Sequence, residues 1–146
     1  MGLSSEKESE KLAVFLGAWT ITGQDFTAIG SGQEISGEET YEWLPGAQLL
    51  VNNWTKNSGG VIRTGTGIIG MEFSHHAFSA QDNENEIYTR SYNLHCRDEY
   101  WLIIGERERA VFAFNEELNQ FSQKWECTTD GQHWSNMWEI KGQKRT

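Results

Sequence analysis

Phe15-Leu16-Gly17-Ala18-Trp19-Thr20-Ile21-Thr22-Gly23 decides how the chain is read. Upstream, Ser5 and Glu8 have the spacing of an N-terminal capping box. Leu12, Phe15 and Leu16 then follow at helical spacing, which predicts a short helix over residues 5–16. Gly17 suits the position just past a helix, where a left-handed backbone lets the chain turn away. From Trp19 the period drops to two. Trp19 and Ile21 alternate with Thr20 and Thr22, the pattern of a half-buried strand.

The same period governs the rest of the chain. Residues 23–37 are rich in Gly, Ser and Thr and read as a long turn or a weak edge strand. Strands are expected over 39–44, 48–55, 61–71, 75–80, 87–94, 100–106, 109–114, 120–128 and 133–141. Turn chemistry separates them at Pro45-Gly46, Ser58-Gly59-Gly60, Asn115-Glu116-Glu117 and Asp130-Gly131. Gly65, Gly67 and Gly70 fall inside one strand and mark a bend or a close backbone approach. About ten strands at this spacing, with one helix at the start, predict an all-β barrel or sandwich in a single domain over 1–146.

Composition narrows the function classes. Asp and Glu number 21 against 12 Lys and Arg, a net charge of −9. No basic stripe exists to meet a phosphate backbone, so nucleic acid and anionic membrane surfaces are not expected partners. The first residues lack an apolar signal core, and Cys96 and Cys127 form no metal or redox spacing, which predicts a cytoplasmic protein. Seven Trp, seven Phe and four Tyr supply an aromatic interior.

The opening stretch is similar to the entrance motif of lipocalin-like calycins. The similarity continues through Gly37-Glu38-Glu39-Thr40-Tyr41-Glu42-Trp43, Gly67-Ile68-Ile69-Gly70, His76-Ala77-Phe78, Arg90-Ser91-Tyr92, Tyr100-Trp101 and Trp125-Glu126-Cys127-Thr128-Thr129-Asp130-Gly131. In this order the motifs resemble an uncharacterised bacterial family of the calycin superfamily, over nearly the whole chain. The resemblance implies a closed antiparallel lipocalin-like β-barrel of about ten strands, over about 18–142, capped by the N-terminal helix. It implies no activity. The nitrobindins, a distantly similar calycin group, bind haem through a histidine on the last strand. Here that strand has His133 only at its beginning and Met137 and Trp138 in its middle. No cofactor is therefore predicted, and haem held by His76, His95 or His133 is the alternative.

Candidate site residues come from strand parity. Glu39, Tyr41 and Trp43 share one face of a strand, and Trp54 lies on the next at matching parity. Arg90 and Tyr92 share a face further on, and His76 and Arg107 are polar residues in or beside strand-like runs. Directed inward, these eight residues make an aromatic lumen with a few polar groups, the usual character of a small-molecule site. A buried Glu39 then needs a cation, and Arg90 or Arg107 is the expected partner. Directed outward, the same residues are ordinary cross-strand ion pairs.

Trp19 is expected to plug the closed end, with Arg145 or Lys141 above its ring. The expected function is carriage or sensing of a small, mostly apolar or amphipathic molecule. An enzyme using His76 as acid/base beside Glu39 is one alternative. An interaction module that dimerises through the helix or an edge strand is another. His75 and His76 point to opposite faces of a strand, so they do not chelate one ion together. No catalytic or metal-binding residue is predicted.

Overall fold

The computed structural model describes residues 11–27, 32–46, 49–70, 75–81, 86–97 and 100–145, with the backbone alone for 75–81 and 86–91. Ten antiparallel strands follow one another: β1 Gly17–Asp25, β2 Gln33–Trp43, β3 Leu50–Ser58, β4 Val61–Ile69 and β5 His75–Gln81, then β6 Glu86–Arg97, β7 Tyr100–Ile104, β8 Glu108–Phe114, β9 Gln120–Cys127 and β10 Ser135–Lys144. Each pairs with its sequence neighbours, and β1 also pairs with β10, so the strand order closes on itself as a barrel. The wall is uneven. β7 pairs over only five residues, and β10 carries a register shift between Asn136 and Trp138.

The helix expected over 5–16 is a five-residue 3-10 helix, Lys11–Phe15, and residues 5–10 lie outside the described residues. Packing explains the tighter coil. Leu12 and Phe15 are three apart, and three residues per turn puts both on one face. Both are buried against the barrel end. Leu16 N–H closes the turn on Ala13 O at 3.1 Å. Gly17 follows with φ of 121°, the positive-φ exit its position predicts.

Alternation of burial sorts each strand. On β1, Trp19 and Ile21 face in; on β9, Phe121, Gln123 and Trp125 do. One end of the interior is filled by rings. Phe15 packs at 5.2 Å from both Trp101 and Phe114, and Trp19 lies 4.7 Å from Phe121. Trp19 is fully buried, and its Nε1–H donates to Phe15 O at 2.8 Å. The cation over its ring is Lys144, at 5.6 Å. Arg145 instead pairs with Glu38 at 3.0 Å and donates to Thr20 Oγ1. Alternation accounts for the difference, because Arg145 follows Lys144 and leaves toward the outer face.

Of the two readings of residues 23–37, a long turn or a weak edge strand, strand is found at both ends. β1 continues through Gly23 to Asp25, and β2 starts at Gln33. Glycine here serves a close approach between backbones. A Cβ on Gly37 would collide with the Thr55 carbonyl oxygen on β3. Gly37→Ala is expected to destabilise the protein by about 1–3 kcal/mol, because a backbone oxygen in a ladder cannot move aside as a side chain can. A drop in the urea midpoint with an unchanged slope is the expected reading.

Candidate functional site

Beyond the ring-filled end lies a cavity of about 70 Å³. Its polar wall begins on β2. Glu39 is 3% exposed and faces Trp54 across the β2·β3 ladder. Lys56, two residues beyond Trp54, is therefore its diagonal neighbour on the inner face. Lys56 is 7% exposed, and its Nζ lies 3.8 Å from Glu39 Oε2. The same Nζ sits 4.4 Å from the centre of the Trp54 ring and 4.9 Å from that of Trp138. Trp138 faces Trp125 of β9 across the ladder, two residues before the inward Ile140. Trp138, Ile140 and Gly142 share the inner face by plain alternation, and the shift falls between Asn136 and Trp138, before this regular stretch begins.

Two further donors satisfy Glu39. Tyr41 Oη donates to Oε1 at 2.7 Å, and Gln123 Nε2 reaches across from β9 to Oε1 at 3.3 Å and Oε2 at 3.1 Å. Gln123 Oε1 in turn accepts from Trp125 Nε1–H at 3.0 Å. Five buried polar side chains from β2, β3 and β9 thus form one connected set. Tyr92 Oη donates to Glu108 Oε1 at 2.6 Å elsewhere in the same cavity wall. Trp138 Nε1 is buried without a hydrogen-bond partner among the described residues.

Burial disfavours charge on both ionisable neighbours of Glu39. It pushes the Lys56 amine below its ordinary value, and the nearby Glu39 carboxylate only partly offsets this. It pushes the Tyr41 phenol well above its ordinary value, and the Glu39 charge and hydrogen bond act in the same direction. A raised acid stays protonated in the folded state where the unfolded chain has lost its proton. Tyr41 therefore contributes stability in full below pH 10, lost as the pH climbs toward its folded value. In an alkaline titration followed by tyrosinate absorbance, the Tyr41 phenol is expected to ionise only with unfolding. Tyr41→Phe should flatten the fall in stability above that pH.

No protein-family model matches the chain, and no curated protein matches it. A solved structure does: Rv2717c from M. tuberculosis, at a TM-score of 0.62 and 11% identity, over 94% of this chain and 96% of that one. At that identity the likeness concerns the all-β barrel fold alone.

Four of the eight residues singled out by parity line the cavity: Glu39, Tyr41, Trp54 and Tyr92. His76 and Arg90 stand on β5 and β6, where their side chains lie outside the described residues. Trp43 does not line the cavity. It ends β2, pairs with Leu50 and is 37% exposed, because it shares the parity of Tyr41 but has passed the rim. Arg107 does not either. It sits in the turn between β7 and β8 and donates to Thr129 O, so Glu39 takes Lys56 as its cation. Lys56, Gln123, Trp125 and Trp138 were not singled out. The signal for Lys56 was available, since it shares the face of Trp54.

His95 is exposed, and His133 is 85% exposed in a turn, held by Asp130 at 2.7 Å. His133 and backbone donors hold the Asp130 carboxyl well below the usual carboxylate range. Cys96 and Cys127 are half-buried. No helix among the described residues is long and apolar enough to cross a membrane.

Proposed function

We propose that the protein is a lipocalin-like calycin that binds a small amphipathic molecule in the barrel interior. One observation carries this reading: an ion pair, Glu39 and Lys56, is buried against an aromatic cavity rather than against packed side chains. Burying a lysine and a carboxylate is costly, and such pairs give weak returns in stability. A site that uses them is the simplest reason to keep them.

Cavity size limits the ligand. About 70 Å³ is less than half of the roughly 150 Å³ that accepts benzene in an engineered core. The ligand is therefore a molecule of a few heavy atoms, with a polar group to meet Lys56 or Gln123 and a short apolar body against Trp54 and Trp125. Long acyl chains and tetrapyrroles are too large for this volume. The acidic composition and the absence of a metal or redox cysteine spacing favour a reducing, cytoplasmic setting.

A nuclear magnetic resonance screen of small carboxylates, carbonyls and alcohols tests the reading. Binders should shift the indole N–H signals of Trp125 and Trp138, and Leu94→Phe, which fills the cavity wall, should abolish those shifts. Shifts confined to the outer face, or unaffected by Leu94→Phe, would overturn it.

A further inference from the structure

We propose that Lys56 is a carbonyl-capturing residue, whose Nζ forms an imine with a small aldehyde or ketone admitted to the lumen. The proposal rests on the reading that the lumen admits small molecules, and it names the substrate class. Four observations converge on it. First, Lys56 is a buried amine on a cavity wall, whereas lysines seldom leave water unless paired. Second, its pairing is loose. The 3.8 Å to Glu39 Oε2 exceeds the 2.7–3.2 Å of a close N–H···O bond, while Tyr41 and Gln123 take the short contacts with that carboxylate. The carboxylate is near enough to exchange a proton and does not lock the amine.

Third, the surroundings suit the product. The Trp54 and Trp138 rings flank Nζ at 4.4 and 4.9 Å and attract a cation. A protonated imine keeps the positive charge on the same nitrogen, between the same rings and beside the same carboxylate. Fourth, Trp138 Nε1–H is a buried donor without an acceptor among the described residues. A buried unsatisfied donor costs about 1–3 kcal/mol and calls for an explanation. A carbonyl oxygen bound beside Lys56 would accept from it and be polarised by it.

The step balances with these groups alone. The Lys56 ammonium passes a proton to the Glu39 carboxylate. The freed nitrogen lone pair attacks the carbonyl carbon, a C–N bond forms, and the carbonyl π pair moves to oxygen. A proton shifts from nitrogen to that oxygen, giving a carbinolamine. The Glu39 carboxylic acid protonates the hydroxyl, the C–O bond breaks, and water leaves as the nitrogen lone pair closes C=N. One carbonyl compound and one ammonium become one protonated imine and one water, with Glu39 again a carboxylate. The lowered proton affinity of the buried amine makes the neutral nucleophile accessible nearer neutral pH. The ionisable side chains facing it are Glu39 and Tyr41 on β2, with Tyr92 and Glu108 on the same cavity wall.

Propionaldehyde with sodium cyanoborohydride tests the inference on the intact wild-type protein. Near neutral pH, peptide mapping should find the propyl adduct on Lys56 at a rate several-fold above that on exposed Lys124 or Lys141. Trp138→Phe, which keeps a ring but removes the donor, should slow the Lys56 adduct and leave the others unchanged. Labelling of Lys56 at or below the rate of the exposed lysines overturns the proposal. If propionaldehyde shifts the Trp125 and Trp138 indole signals and yet no Lys56 adduct is trapped, the imine fails and lumen binding stands. If neither occurs and the small-molecule screen is also silent, both readings fall.

Discussion

Glu39→Leu is expected to destabilise the protein by about 3–5 kcal/mol, the usual cost of removing one partner from a buried charge pair. The loss has two sources. Lys56 would remain 7% exposed with no carboxylate beside it, and the Tyr41 hydroxyl and the Gln123 amide would both lose their acceptor. Lys56→Met should cost far less. Glu39 then still accepts from Tyr41 and Gln123, and methionine keeps the apolar stem between Trp54 and Trp138. The double variant should recover much of the Glu39→Leu loss, since a pair replaced by apolar groups is often neutral. Denaturant midpoints for the two single variants and the double variant close the cycle. Equal costs for the two single variants would sink the account, because it makes Glu39 the hub.

The second large effect lies at the filled end. Trp19→Ala is expected to cost about 3–5 kcal/mol, whereas Trp43→Ala should stay within about 0.5 kcal/mol of the parent. Both are tryptophans on strands, and only their surroundings differ. Trp19 is fully buried, packs on Phe114 and Phe121, and satisfies Phe15 O. Trp43 is 37% exposed at the end of β2. Thermal melting of the two variants decides the matter, and a Trp43→Ala loss near that of Trp19→Ala would refute it.

Local pattern made the strands legible. The alternation from Trp19 to Thr22, the Pro45-Gly46 turn and the glycine pair at 59–60 all sit where the alternation and turn chemistry place them. Gly23 and Gly37 misled because glycine signals a turn and a close backbone approach alike, and here the approach prevailed. Parity reports the face of a strand and not the depth along the barrel. That is why Tyr41 and Trp54 line the cavity and Trp43 falls outside it. The hub of the site was harder still. Gln123 stands 84 positions from Glu39, and nothing local in either segment announces their meeting. Trp138 was within reach of parity, since it stands two residues before the inward Ile140, and only the register shift ahead of it departs from the period of two.

The ladder between β1 and β10 has a consequence for how the chain folds. Nine of the ten ladders join consecutive strands, and each can zip as a hairpin on its own. The tenth joins opposite ends of the polypeptide, with Arg145 reaching Thr20 across 125 positions. Its loop-closure entropy must be met before any of its hydrogen bonds form, so it is the late, rate-limiting event. Rewiring the connectivity would relieve this. A circular permutant that links the region after Arg145 to the start of the first strand, and opens at Gly59-Gly60, turns the seam into a hairpin and makes one former hairpin the long-range ladder. Folding speed would then follow the ladder that closes last, and stopped-flow refolding of parent and permutant would show which seam that is.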